Sequence, residues 1–174
     1  MRLHRVDRRQ TLPTTIDEAW IFFSDPRNLA MITPPDMHFE VLSEVPEQVY
    51  AGLLLEYRVQ PFPGWRANWV TEITQVAAPY RFVDEQRSGP YRFWHHQHHF
   101  REVSGGVEVR DLVHYSLPGG PLGALVNARA VAPRLVEVFN FRKGVLSQRF
   151  AAPAGAGDGG VDGAPGGAAG AGEG

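Results

Sequence analysis

Four histidines fall in one short run, Trp94-His-His-Gln-His-His99, and histidine is the side chain that exchanges protons most readily near neutral pH. The alternation of this run with its flanking residues predicts a β-strand. Successive side chains of a strand point to opposite faces, so His96 and His98 share one face. Asp84 and Asp111 lie on the equivalent face of two other predicted strands. The sequence therefore predicts a histidine–carboxylate pair on that face.

Such a pair supports two interpretations. His96, His98 and Asp111 are candidate catalytic residues, because a histidine oriented by a carboxylate can remove a proton next to a carbonyl group, as a cyclase or dehydratase requires. Tyr57 or Tyr115 would then donate a hydrogen bond to the carbonyl oxygen. The alternative is a buried ion pair that only joins two strands. The sequence leaves both interpretations open.

The same histidines raise the question of a metal site. His96 and His98, with Asp84 or Asp111 from another strand, match the ligand types of known metal sites. Zinc requires three or four fixed ligands, however, and the spacing specifies only two. We therefore expect no metal and no cofactor. The chain contains no cysteine, which excludes thiolate nucleophiles, thiolate metal sites and disulfides.

Period-two alternation predicts strands along much of the chain. The first covers Leu3 to Leu12, and six further runs are separated by turn signals such as Pro61-Phe-Pro-Gly64 and Gly105-Gly106. Seven short strands with brief connections predict an antiparallel sheet with one face turned inward. The six runs lie at residues 39–41, 53–59, 65–73, 82–86, 94–100 and 107–115.

Helical spacing appears in two segments, one between the first predicted strand and the other six, and one after the last strand. Thr15-Ile-Asp-Glu18 is a capping box that begins a short helix, and Asp25-Pro26 begins a second that should continue to Ile32. After residue 121 an apolar stripe predicts a long carboxyl-terminal helix. Pro133 should begin or kink this helix, so residues 122–130 are expected to form a separate turn. The stripe consists of Leu135, Val138, Phe139, Leu146 and Phe150, with Arg134, Glu137, Arg142 and Lys143 largely off it.

The inward-facing positions mix apolar and polar side chains, as the wall of a ligand pocket does. We expect a cavity between the sheet and the long helix, and a filled core with mutually paired polar residues is the alternative. Trp69 and Trp94 could stack on a planar ligand or simply pack in the core. The predicted ligand-binding residues are Tyr57, Trp69, Asp84, Gln86, Trp94, His96, His98, Asp111 and Phe139.

Several segments, in order, resemble the SRPBCC superfamily of START-like helix-grip ligand binders, in its polyketide cyclase and coenzyme-Q-binding branch. The resemblance covers roughly residues 3 to 150. It implies an α+β helix-grip fold, with a curved sheet of about seven strands, two short helices after the first strand and a long carboxyl-terminal helix over a cavity. The segments are Asp25-Pro-Arg-Asn-Leu29, Ile32-Thr-Pro-Pro35, Gly89-Pro-Tyr91, Trp94-His-His96 with His98, Asp111-Leu-Val-His-Tyr115, Pro118-Gly-Gly-Pro-Leu-Gly123 and Val138-Phe-Asn-Phe-Arg142.

The superfamily includes lipid carriers, coenzyme-Q-binding proteins, hormone receptors and polyketide cyclases, so the resemblance does not decide the function. We expect binding of a small, largely hydrophobic molecule such as a lipid, a quinone or a polyketide. The alternative is a cyclase or dehydratase that uses the histidine–carboxylate pair in the same cavity.

Composition divides the 174 residues into a domain and a tail. We expect residues 1–150 to form one domain, which the resemblance implies is ligand-binding, whereas residues 151–174 hold 10 of the 19 glycines and are expected to be disordered. The net charge of −2 offers no basic surface for nucleic acid. No secretory signal or membrane-spanning run is visible, and we expect a cytoplasmic location. The oligomeric state is not predicted.

Overall fold

The computed structural model describes residues 2–151, which contain one seven-stranded antiparallel sheet. The strands lie in the order β1-β7-β6-β5-β4-β3-β2. This arrangement confirms the predicted α+β helix-grip architecture. The predicted disordered tail, Ala151 apart, lies outside the described residues. The strands are β1 (His4–Leu12), β2 (Glu40–Val41), β3 (Leu54–Phe62), β4 (Trp65–Ala77), β5 (Arg81–Ser88), β6 (Phe93–Val103) and β7 (Gly106–Ser116).

The register of the central strands brings the histidines and carboxylates together. On β6, His96 is opposite Asp84 of β5, and His98 is opposite Asp111 of β7. Directly opposed residues of an antiparallel pair point to the same face of the sheet. All four side chains therefore point to the inner face, as the alternation of the sequence predicts.

The first helix, α1 (Ile16–Phe23), begins at the predicted capping box. Thr15 Oγ1 accepts a hydrogen bond from the Glu18 backbone N–H (3.2 Å), and the Thr15 N–H donates to Glu18 Oε2 (3.3 Å). These bonds satisfy two amide groups that a helix otherwise leaves free. Trp20 then packs edge-on against Phe82 and Phe100 of the sheet, with ring centroids 5.9 Å apart in both pairs. The capping box thus places an apolar helix face on one end of the sheet.

The predicted second α-helix is wrong in type and length. The chain forms one 3₁₀ turn, Pro26–Leu29, and another at Pro35–Met37. Asp25 caps the first turn by accepting from the Arg27 N–H (3.0 Å). The Thr33 hydroxyl then donates to the Leu29 carbonyl (2.7 Å), which occupies an acceptor that a continuing helix would need. The segment is therefore a compact loop along the edge of the cavity.

The carboxyl-terminal helix is longer than expected, and the predicted separate turn at residues 122–130 is wrong. Helix α2 (Gly120–Val126) passes through a π-helical segment (Asn127–Val131) directly into α3 (Ala132–Arg149). The Ala132 N–H bonds to the Asn127 carbonyl five residues back. Pro133 cannot donate a backbone hydrogen bond, and its ring crowds the preceding turn. The wider π turn lets the chain pass the proline without ending the helix.

Two apolar clusters lie between the inner face of the sheet and the helices. One contains Trp20, Leu55 and Leu146, and the other contains Tyr115, Leu135 and Phe139. Within residues 2–151, no helix is long and apolar enough to cross a bilayer.

Gly106 begins β7 where that strand meets the end of β1. Its φ is +134°, and an added Cβ would lie 2.0 Å from the Leu12 carbonyl oxygen, whereas a Cβ on Gly105 (φ +89°) would meet nothing within 4 Å. Both substitutions by alanine incur backbone strain of about 1–2 kcal/mol. We predict that Gly106→Ala lowers the free energy of unfolding by a further ~1–3 kcal/mol, because the backbone at Leu12 must move. Urea unfolding of both variants checks this, and equal losses would contradict it.

Candidate functional site

A cavity of about 170 Å³ lies between the inner face of the sheet, α1 with its following loop, and α3. Most of its wall is apolar or aromatic. The side chains that close it from three directions include Phe23, Leu29 and Ile32 from α1 and the loop, Leu55, Ile73 and Phe82 from the sheet, and Leu135, Val138 and Phe139 from α3.

Seven of the nine predicted ligand-binding residues line this cavity; their role in binding stays a prediction. Gln86 does not line it, because its amide is used in the β5–β6 connection. Its Nε2 donates to the Tyr91 carbonyl (2.7 Å), and its Oε1 accepts from the Tyr91 N–H (3.2 Å). Asp111 lies behind the histidines and does not line the cavity either. The seven are Tyr57, Trp69, Asp84, Trp94, His96, His98 and Phe139.

Asp111 is the centre of a buried group of charged and polar side chains. Its Oδ1 lies 2.9 Å from His96 Nε2 and 3.0 Å from His98 Nδ1. It also accepts a hydrogen bond from Arg142 Nη1 (3.1 Å). All four residues are at most 7% exposed. We refer to these residues together with Asp84 as the polar cluster.

Asp84 occupies the opposite side of the two imidazoles. Its Oδ1 lies 3.0 Å from His98 Nε2 and 3.3 Å from His96 Nδ1. The two rings are 3.9 Å apart between centroids, and Phe82 stacks on His98 at 4.1 Å. Each imidazole therefore has one nitrogen beside Asp111 and the other beside Asp84, which is on the cavity wall.

The pKa values of the polar cluster follow from burial and from these contacts. Burial opposes ionisation of Asp111, but the charge of Arg142 and the two histidines hold its pKa well below the usual range. Burial and the nearby His98 lower the pKa of His96. Burial also disfavours a charged His98, yet its contacts with Asp111 and Asp84 outweigh this and raise its pKa. When His98 is protonated, it and Arg142 balance the charges of the two carboxylates, and the lowered pKa of His96 favours its neutral form.

Arg142 is the member of the polar cluster that the sequence analysis missed. Its position was expected to lie largely off the apolar stripe of the long helix, but it is 7% exposed and its guanidinium lies 5.2 Å from the Phe139 ring centroid. A signal was present, because Arg142 is three residues after Phe139 and four before Leu146. These spacings place all three on one helix face.

The remaining wall near the histidines is aromatic. Trp94 meets Trp69 edge to face at 5.2 Å and His96 at 6.1 Å. Burial raises the pKa of the Tyr57 phenol, and the negative charge of Asp84 raises it further, so this hydroxyl stays protonated at neutral pH. The cavity thus combines flat aromatic faces with groups that can donate or accept a proton.

Asp84, His96 and His98 also form the group that could hold a metal ion. One donor atom from each lies within 4.8 Å of the other two. Spacing along the chain identified the two histidines but not which carboxylate would join them, because that depends on the pairing of β5 with β6.

No protein-family model matches this chain, and no curated protein matches it. Solved structures do match. The Zhui aromatase/cyclase from Streptomyces sp. R1128 has a TM-score of 0.64 and 16% identity, over 88% of this chain and 99% of that one. A protein of Thermus thermophilus gives a TM-score of 0.63 and 17% identity, over 88% and 100% of the two chains. A Mycobacterium smegmatis protein has a TM-score of 0.59 and 17% identity, over 83% of this chain and 92% of that one.

At these identities the similarity shows the fold. It confirms the expected helix-grip fold, since the chain has a curved seven-stranded sheet closed by a long carboxyl-terminal helix. A shared fold does not decide the function, because one fold can host several unrelated functions. What this chain binds has to be argued from its own cavity.

Arg142 should be important for stability, because it neutralises a buried carboxylate. Removing one partner of a buried ion pair usually costs about 3–5 kcal/mol. We predict a loss in that range for Arg142→Met, measured by urea unfolding at neutral pH. The neighbouring Lys143 is exposed, and Lys143→Met should change stability by no more than ~0.5 kcal/mol. A similar small effect of both substitutions would contradict the role given to Arg142.

Proposed function

We propose that the protein binds a small, largely hydrophobic molecule in the cavity between the sheet and α3. The observation that carries this proposal is the cavity itself, which is mostly apolar and has convergent polar groups on one part of its wall. Binding sites for small molecules have this composition, with apolar contacts supplying affinity and a few polar groups fixing orientation.

The cavity volume favours a compact ligand. An apolar cavity of about 150 Å³ accommodates benzene, and this one measures about 170 Å³. A molecule of one or two fused rings, such as a quinone or an aromatic polyketide fragment, fits this space better than an extended acyl chain. Trp69 and Trp94 offer aromatic faces on which such rings can stack.

The polar groups on the wall would orient an oxygen of this ligand. Tyr57, kept protonated by burial and by Asp84, can donate a hydrogen bond to a carbonyl or phenol oxygen. Asp84, His96 and His98 are close to that position on the same wall. A flat molecule with one oxygen directed towards the polar cluster satisfies both parts of the cavity.

Two substitutions on α3 provide a matched test of binding. Val138 lines the cavity, whereas Val136, two residues earlier, is 41% exposed. Val138→Phe fills part of the cavity, and we predict at least a tenfold loss of affinity for 1,4-naphthoquinone, equivalent to about 1.4 kcal/mol. Val136→Phe should bind like the wild type.

Equilibrium dialysis measures the affinity, and quenching of tryptophan fluorescence reports contact with Trp69 and Trp94. Native mass spectrometry of the purified protein would identify a retained molecule. Palmitate serves as the acyl-chain comparison and should bind more weakly. Equal affinities of the two variants for naphthoquinone, or no binding by the wild type, would contradict the proposal.

The histidine–carboxylate contacts favour one alternative function, a cyclase or dehydratase. His96 is neutral, lines the cavity and contacts Asp111 through Nε2 at 2.9 Å. In this alternative His96 removes a proton next to a substrate carbonyl, Asp111 orients the ring and stabilises the imidazolium, and Tyr57 donates to the carbonyl oxygen. The structurally similar aromatase/cyclase belongs to this class of enzyme by its name.

Turnover of a short linear β-polyketone distinguishes the binding protein from the enzyme. If the alternative holds, the wild type yields a cyclised product that has lost water, and His96→Gln and Asp111→Asn slow its formation by roughly 10²- to 10⁴-fold while binding persists. His95→Gln, on the outer face of the same strand, is the control. Recovery of unchanged polyketone after incubation with the wild type supports the binding function instead.

A further inference from the structure

Three side chains on the cavity wall, Asp84, His96 and His98, are of metal-binding types and lie close enough together to share one ion. Asp84 Oδ1 is 3.3 Å from His96 Nδ1 and 3.0 Å from His98 Nε2. Metal–ligand bonds of about 2.0–2.2 Å place neighbouring donor atoms roughly 3.0–3.5 Å apart. Two of the three donor separations therefore match those that a bound ion would impose, and all three donor atoms lie within 4.8 Å of one another.

The other nitrogen of each ring faces Asp111, and that of His96 is held in the way that metal-binding histidines require. His96 Nε2 forms a hydrogen bond with Asp111 Oδ1 (2.9 Å), whereas His98 Nδ1 lies 3.0 Å from the same oxygen without hydrogen-bond geometry. A carboxylate that accepts the second N–H of a histidine fixes the ring and directs the lone pair of its other nitrogen towards the metal. Arg142 in turn fixes Asp111 with a hydrogen bond of 3.1 Å.

We propose that Asp84, His96 and His98 form a binding site for a divalent first-row transition metal ion such as Zn²⁺. Two imidazoles and one carboxylate suit this class of ion. All three ligands line the cavity, and we expect the remaining coordination positions to be available to a molecule bound there. The proposal goes beyond binding of a hydrophobic molecule and does not depend on it.

The charges of the polar cluster indicate what would complete the coordination. If both imidazoles are neutral, the charges of a divalent ion and Arg142 exceed those of the two carboxylates by one. The buried polar cluster would then carry one net positive charge. Buried charge is costly unless it is paired. Hydroxide or an anionic oxygen of a ligand, such as a phenolate, enolate or carboxylate, would balance it from the cavity side.

Metal binding can be tested directly on the purified chain. The protein is treated with a chelator, dialysed and titrated with Zn²⁺ and with Co²⁺. We expect one ion per chain by elemental analysis, a Kd of about 1 µM or tighter by calorimetry, and visible absorption from bound Co²⁺. The melting temperature should rise on addition of Zn²⁺, because the ion binds the folded protein.

The same strand provides matched variants. Asp84→Asn, His96→Gln and His98→Gln should each weaken Zn²⁺ binding at least 100-fold. His95→Gln and His99→Gln should leave it unchanged, because these histidines lie on the outer face with Glu85 and Gln97. Asp111→Asn leaves the three ligands in place, and we expect roughly a 10- to 100-fold loss. Circular dichroism establishes that each variant is folded before titration.

Asp84→Asn is nearly isosteric and keeps the proposal testable if a histidine variant does not fold. Absence of Zn²⁺ and Co²⁺ binding by the wild type would overturn the proposal, as would binding retained in Asp84→Asn or lost in His95→Gln. Binding of naphthoquinone to the chelator-treated protein is measured separately. The metal titration and the naphthoquinone measurement therefore test the two proposals separately.

Discussion

The carboxylate of Asp111 is buried on the inner face of the sheet, on β7, and much of the site depends on how its charge is compensated. A buried carboxylate is tolerated only with close cationic or hydrogen-bonding partners. Two of these partners, His96 and His98, come from the adjacent strand β6, and the third, Arg142, comes from α3. The ion pair with Arg142 therefore joins the helix to the sheet at a fixed point. The cavity lies beside that point, and Arg142 is part of its wall.

A second contact holds the other end of the helix. The Tyr115 hydroxyl donates to Asn127 Oδ1 (2.8 Å), and the Asn127 amide lies 3.2 Å from His4 Nδ1. Asn127 is the first residue of the π-helical segment, so the irregular turn is bound to the sheet where the helix passes Pro133. Between Asn127 and Arg142 the helix spans the sheet and contributes Leu135, Val138 and Phe139 to the cavity.

The parts of the fold that follow local rules were predictable from the sequence. Period-two alternation located the strands, and the capping box located the start of α1, because both depend on neighbouring residues. The burial of Arg142 depends on a carboxylate thirty-one residues away. The choice of Asp84 and Asp111 as partners for particular nitrogens depends on strand register. Local patterns do not contain these non-local facts.

The same polar cluster can carry a proton or a metal ion, and the two states would select different ligands. With a proton on His98, the charges of the polar cluster balance, and a neutral molecule that accepts a hydrogen bond from Tyr57 suits the cavity. With a divalent ion in place of that proton, the balance shifts by one positive charge, and an anionic oxygen becomes the better partner. Protons and metal ions compete for imidazole nitrogens, so acidification favours the first state. The identity of the bound ion or proton would therefore decide whether the cavity holds a neutral carbonyl compound or its enolate.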